Sequence, residues 1–138
     1  KKKKNNSTSP QAVMTEEYNG SSWSPSGNLG TGRLAGSASA GPQTAGLAFA
    51  GGIAGPDRTA ATEEYNGSSW TSSSSLSQKR SNVGGGGTQT SAVCAGGQLP
   101  PTKTVTEEYS GSSWTSGGAV PVARLFYISS AEIQIMLL

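Results

Sequence analysis

The sequence has no histidine in its 138 residues, one cysteine, Cys94, and no apolar run long enough to span a bilayer. Without histidine the commonest general base and metal ligand is missing, and a Ser-His-Asp triad cannot be assembled. A single cysteine allows no intrachain disulfide, so thiol content gives no argument for an oxidising compartment. Its setting in Ser91-Ala92-Val93-Cys94-Ala95 reads as that of a small buried apolar residue. Charge is scarce too, at 13% of residues, and only 33% are hydrophobic while 20 are glycine. That composition excludes a large conventional core and leaves either disorder or short, closely packed strands joined by tight turns.

Four of the ten basic residues are Lys1 to Lys4, so the rest of the chain carries 6 basic and 8 acidic residues. The body is therefore no polyanion-binding surface, and no nucleic-acid partner is expected. The lysine run reads as part of a basic, solvated tail over residues 1–10. It is not followed by the hydrophobic stretch of a secretory signal, and no membrane insertion is expected.

What the chain does have is a repeat. The phrase Thr-Glu-Glu-Tyr-Asn-Gly-Ser-Ser-Trp stands at Thr15–Trp23 and Thr62–Trp70, and again, with Ser110 for the Asn, at Thr106–Trp114; the offsets are 47 and 44 residues. Ten residues after each Trp comes an arginine, Arg33, Arg80 and Arg124. Units of this length are single supersecondary pieces that become stable by packing on their neighbours. Within each phrase, Tyr18/Trp23, Tyr65/Trp70 and Tyr109/Trp114 flank Asn-Gly or Ser-Gly, which predicts a tight hairpin between two aromatic-bearing strands. Two copies continue through Gln43-Thr44 or Gln89-Thr90 into a small apolar strand closed by a double glycine, Gly51-Gly52 and Gly96-Gly97. One unit thus reads as four short strands: a Gly/Ala strand after the arginine, the strand into Gly-Gly, the Thr-Glu-Glu-Tyr strand and the Trp strand. Four antiparallel strands in 44 to 47 residues is the period of a propeller blade.

With Gly-Gly, a Tyr about a dozen residues on, a Trp and then an Arg in register, the chain after Gln11 resembles the Kelch repeat of β-propellers. The wording Thr-Glu-Glu-Tyr-Asn-Gly-Ser-Ser-Trp is also similar to Kelch-like proteins of marine bacteriophages, cyanophages in particular. The expectation is an all-β, Kelch-like propeller domain over residues 11–138: a half blade (11–30), two blades (31–76 and 77–120) and a half blade (121–138). The resemblance implies a non-enzymatic structural or adhesive protein of a virion. Its partners would be other virion proteins or a host-surface glycan, met through the loops Gly52–Thr59 and Gln98–Lys103. The alternative is a cellular extracellular or surface-filament binding module built of the same blades. Copper oxidases that use Kelch blades need histidine ligands, which this chain lacks; no cofactor, metal or catalytic residue is expected.

Three blades are too few to close a ring. The half units at the two ends are therefore expected to complete one another between chains, giving a homo-oligomer, either a two-chain ring or a fibre. A segment of a longer repeat array is the competing expectation.

The candidate chemistry reads as structural. Glu16-Glu17, Glu63-Glu64 and Glu107-Glu108 are split across two faces, since neighbours on a strand point opposite ways. The Tyr and Trp series serves packing between blades, with sugar stacking as the alternative. The arginines are expected to pair with carboxylates of a neighbouring unit such as Glu17 or Glu64. Gly84–Gly87 lacks the Gly-Lys-Ser/Thr ending of a phosphate loop, and Asn19-Gly20-Ser21 and Asn66-Gly67-Ser68 read as turns rather than as glycosylation acceptors.

Overall fold

A computed structural model describes residues 13–125. The tail over 1–10 and the closing strands expected in 126–138 lie outside them. Ten strands and no helix occur among the described residues: β1 (Glu16–Tyr18), β2 (Trp23–Pro25), β3 (Ala38–Ala40), β4 (Leu47–Phe49), β5 (Thr62–Tyr65), β6 (Trp70–Ser73), β7 (Gly84–Thr88), β8 (Ser91–Ala95), β9 (Thr106–Tyr109) and β10 (Trp114–Ser116). They form three antiparallel sheets, β1-β2, β3-β4-β5-β6 and β7-β8-β9-β10, each strand hydrogen-bonded to the next in sequence.

Each phrase folds as the hairpin its residues dictate, with Tyr18 opposite Trp23, Tyr65 opposite Trp70 and Tyr109 opposite Trp114. The connecting loop has four residues, a looser turn than Asn-Gly alone suggests. Asn19 Oδ1 accepts from the Ser21 and Ser22 amides, both at 3.0 Å, and Asn66 does the same for Ser68 and Ser69 at 3.0 and 2.9 Å. The glycine that follows adopts φ of 97°, 91° and 89° at Gly20, Gly67 and Gly111, a left-handed conformation costly for any side chain with a Cβ.

The sheets meet at their first strands. β3 lies against β7, and the Gly41 amide donates to Gly87 O at 3.0 Å across the gap. Glycine makes this approach possible: a Cβ on Gly85 would stand 2.5 Å from Ala38 Cβ and 2.6 Å from Phe49 Cζ. The run Gly84–Gly87 is thus the edge strand of its sheet that faces β3, and these two edge strands, β3 and β7, are the inner ones in the sense that the two sheets meet there. Around it Leu47, Phe49, Ala50, Leu76, Val83, Cys94 and Tyr109 form one buried cluster, which holds Cys94 fully out of solvent.

The double glycines are not equivalent. Leu47 and Val93 occupy the same place, opposite Glu64 and Glu108, so Ala50-Gly51 corresponds to Gly96-Gly97. These pairs share left-handed φ, 57° and 109° in one unit and 60° and 96° in the other. Gly52 matches Gln98 instead, each bridging back to the segment before the inner strand, at Ala35 or Ser81. What recurs is a backbone shape: the Gly51 and Gly97 amides donate to Arg80 O and Arg124 O, both at 2.9 Å.

Candidate functional site

The repeated side chains converge at two kinds of place, inside each four-stranded sheet and at the junction between successive sheets. Inside the sheet lies the arginine. The Arg80 guanidinium is fully buried and donates to Gly96 O (2.9 Å), Val105 O (2.8 Å) and Glu107 Oε1 (2.7 Å). Arg33 repeats the pattern with Ala50 O (2.5 Å), Ala61 O (3.2 Å) and Glu63 Oε2 (3.3 Å). This corrects, for Arg33 and Arg80, the expectation that the arginines pair between units with Glu17 or Glu64: each of the two reaches the first Glu of the phrase in its own sheet. The reason is reach. The arginine enters just before the inner strand, where its side chain extends under the left-handed turn to β5 or β9; one carbonyl of that turn and the carbonyl just before β5 or β9 take further donors, and Nε alone has no partner among the described residues. Burial pulls the Arg33 pKa down, and the Glu63 carboxylate beside it pulls it back up. The remaining carboxylate oxygens also serve the backbone, since Glu63 Oε1 accepts from the Thr31 amide and Glu107 Oε2 from the Ser77 amide, both at 2.8 Å.

The second Glu of each phrase points the other way, to the junction. Glu17 Oε1 accepts from the Tyr65 hydroxyl of the next unit and from Ser26 Oγ at 3.1 Å, and the two hydroxyls also bond to each other. Glu64 Oε1 does the same with Tyr109 of the next unit and with Ser73 Oγ at 3.1 Å. The Trp completes the junction. Trp114 lies edge-on to Phe49, with ring centroids 5.0 Å apart, and its Nε1 donates to Thr62 Oγ1 at 2.9 Å; Trp70 Nε1 donates to Thr15 Oγ1 at 3.4 Å. Gln89 adds a further tie, donating to Gly46 O and Tyr65 O at 3.0 and 2.7 Å.

A cavity of about 190 Å³ opens at the first junction, lined by Glu17, Ser26, Gln43, Tyr65 and Trp70 among others. Glu17, Ser26, Gln43 and Tyr65 are already engaged with one another. Hydrogen bonds from Tyr65, Gln43 and Ser26, in that order, hold the Glu17 carboxyl below its ordinary value, and the same contact raises the Tyr65 phenol. At the second junction burial and then the bond to Glu64 raise Tyr109. A carboxylate held ionised and a phenol held protonated make a poor base and a poor nucleophile at neutral pH. Burial pushes the Cys94 thiol up to about 12, which leaves it unreactive. Among the described residues no three His, Cys, Asp or Glu side chains are placed to hold a metal ion.

The structure thus brings Tyr65, Trp70, Tyr109 and Trp114 to junctions, Arg33 and Arg80 into sheet interiors, and Gly51, Gly96 and Gly97 to left-handed turns, with Gly52 one step out of register. Tyr18, Trp23 and Arg124 stay at the two ends of the described residues. Tyr18 is 45% exposed and Trp23 65%, against 4% and 3% for Tyr65 and Tyr109. The junction serines and threonines were not singled out from the sequence. Their signal is positional: a Thr opens every phrase, and a Ser follows Trp23 and Trp70 by three residues, where the third unit has Gly117.

The loop 52–59 is bound to the next unit through Arg58 Nε to Ser81 Oγ (3.1 Å) and Lys79 Nζ to Asp57 Oδ1 (2.6 Å). The tips, residues 54–57 and 100–101, remain exposed.

No family model and no curated protein matches the chain. Among solved structures it is similar to that of YjhT, with a TM-score of 0.64 and 18% identity over 78% of this chain and 38% of that one. The chain therefore spans about 38% of that protein's length, and at this identity the likeness speaks to the all-β fold alone.

Proposed function

We propose that this chain is a non-enzymatic virion component, a Kelch-like propeller module that acts as a rigid scaffold in a phage particle and offers its loop tips to a neighbouring protein or a host-surface glycan. The observation that carries the scaffold reading is where the repeated polar groups go. Carboxylates, phenols, indoles and guanidinium groups are spent on binding strand to strand and repeat to repeat. Contact of the sheets through inner strands β3 and β7 supports a radial, blade-like arrangement. Exposed residues at 54–57 and 100–101, which recur at one end of successive sheets, support the tips as the contact surface. The virion assignment rests on the wording of the repeated phrase. Mass spectrometry of gradient-purified particles, with antibody labelling under the electron microscope, tests it. The chain should co-purify with particles at a fixed stoichiometry and label one feature of them. Its absence from particles, with recovery from cell envelopes instead, would replace this reading with a cell-surface module.

A further inference from the structure

Each internal junction is built from the same parts: a Trp indole donating to the Thr that opens the preceding phrase, a Tyr hydroxyl donating to the second Glu of that phrase, and a loop contact. In the loop contact Ser74 Oγ donates to Ser112 O at 2.5 Å; at the other junction a Cβ on Gly27 would stand 2.4 Å from Ser68 O. The end sheets retain one half of this set each. Thr106 is 9% exposed and its Oγ1, buried, has no hydrogen-bond partner among the described residues, although Thr15 and Thr62 at the same place each accept from a Trp. Glu108 is exposed where Glu17 and Glu64 are half-buried beneath a Tyr. At the opposite end Tyr18 and Trp23 are exposed donors. One further step of the repeat register sets Trp23 against Thr106, Tyr18 against Glu108 and Ser21 against Gly118. The same ends carry exposed Glu16 and Arg124, the first-Glu and arginine positions that pair inside both four-stranded sheets.

We propose that the two ends are mates, and that the occupant of each is a second copy of this chain: the β1-β2 hairpin of one copy seats on the β9-β10 hairpin of another. A buried hydroxyl without a bond is rare in folded proteins, and here the complementary donor stands exposed in the first sheet of the described residues, with opposite charges beside each. The contact is head-to-tail, so it propagates until the copies close a ring or extend as a fibre. This holds wherever the protein works, in a virion or elsewhere.

Cysteines placed on the loop contact test the pairing without touching its hydrogen bonds. Ser21→Cys and Gly118→Cys lie in exposed loops, with open space around Gly118. Mixing the two variants with a short bismaleimide should give a cross-linked dimer joined between positions 21 and 118, while neither variant alone gives one. Adding Tyr18→Phe should weaken association by roughly tenfold or more, as loss of a hydrogen bond to a carboxylate does. The variant Ser74→Cys with Ser112→Cys should link within one chain and so report that the repeats are folded. With that control positive, three results would overturn the proposal: no 21–118 product, a 21–21 product, or a link confined to one chain in Ser21→Cys with Gly118→Cys.

Discussion

Arg80 is the residue most thoroughly committed to the fold. It is buried with Glu107, its Nη1 donates to the carbonyls of Gly96 and Val105, and its Nε is left without a partner among the described residues. Removing one member of such a pair leaves a buried charge without compensation, so Arg80→Ala should destabilise by roughly 3 to 5 kcal/mol in denaturant titrations. Arg80→Met with Glu107→Leu should recover much of that loss; a double variant as unstable as the single one would show that packing, and not the charge, holds the site. Part of the pH response comes from the junction residues. Glu17 is held below its ordinary pKa, so its contribution is present above about pH 4 and is lost as pH falls through the folded value. Tyr65 and Tyr109 are held above theirs, so their contribution is present below about pH 10 and is lost as pH rises through the folded values. Thermal stability should accordingly be flat between those limits and fall on both sides. Tyr65→Phe should blunt both falls, because it removes the bond shared by the two groups.

At the scale of the element, the inner strands decide how closely sheets approach. Gly85→Val places a side chain where Ala38 and Phe49 already stand. It should cost roughly 1 to 3 kcal/mol, the usual penalty of overpacking, or more, and shift the near-ultraviolet signal of Trp114, which lies on Phe49. A neutral Gly85→Val would mean that the sheets are not in contact there. The strands themselves were legible in the sequence, because turn residues and aromatics recur at fixed spacing and turn chemistry acts locally. The offset of the double glycines was not. Two Gly-Gly pairs look alike in sequence, whereas the structure selects the position that needs left-handed φ, and Ala50 fills it as Gly96 does. The arginine partner was hidden for a related reason. Strand alternation shows that Glu63 and Glu64 face opposite ways, but which face turns to the sheet interior and which to the next repeat depends on how sheets stack. That also hid Thr62 and Ser73, short polar residues whose only mark is repetition.

For the whole molecule, stability comes from the addition of like junctions. Trp70 and Trp114 are half-buried against a preceding repeat, whereas Trp23, in the first sheet of the described residues, is 65% exposed. Among the described residues the first sheet shows exposed Tyr18 and Trp23 and the last an unpartnered Thr106 hydroxyl, and the proposed mating of these two faces between copies sets the size of the assembly. Its most direct test is the molar mass of the purified chain by light scattering over a tenfold range of concentration. Mated ends give twice the 13.9 kDa chain mass, or a larger multiple that rises with concentration if the assembly is open. A folded species of single-chain mass throughout would contradict it.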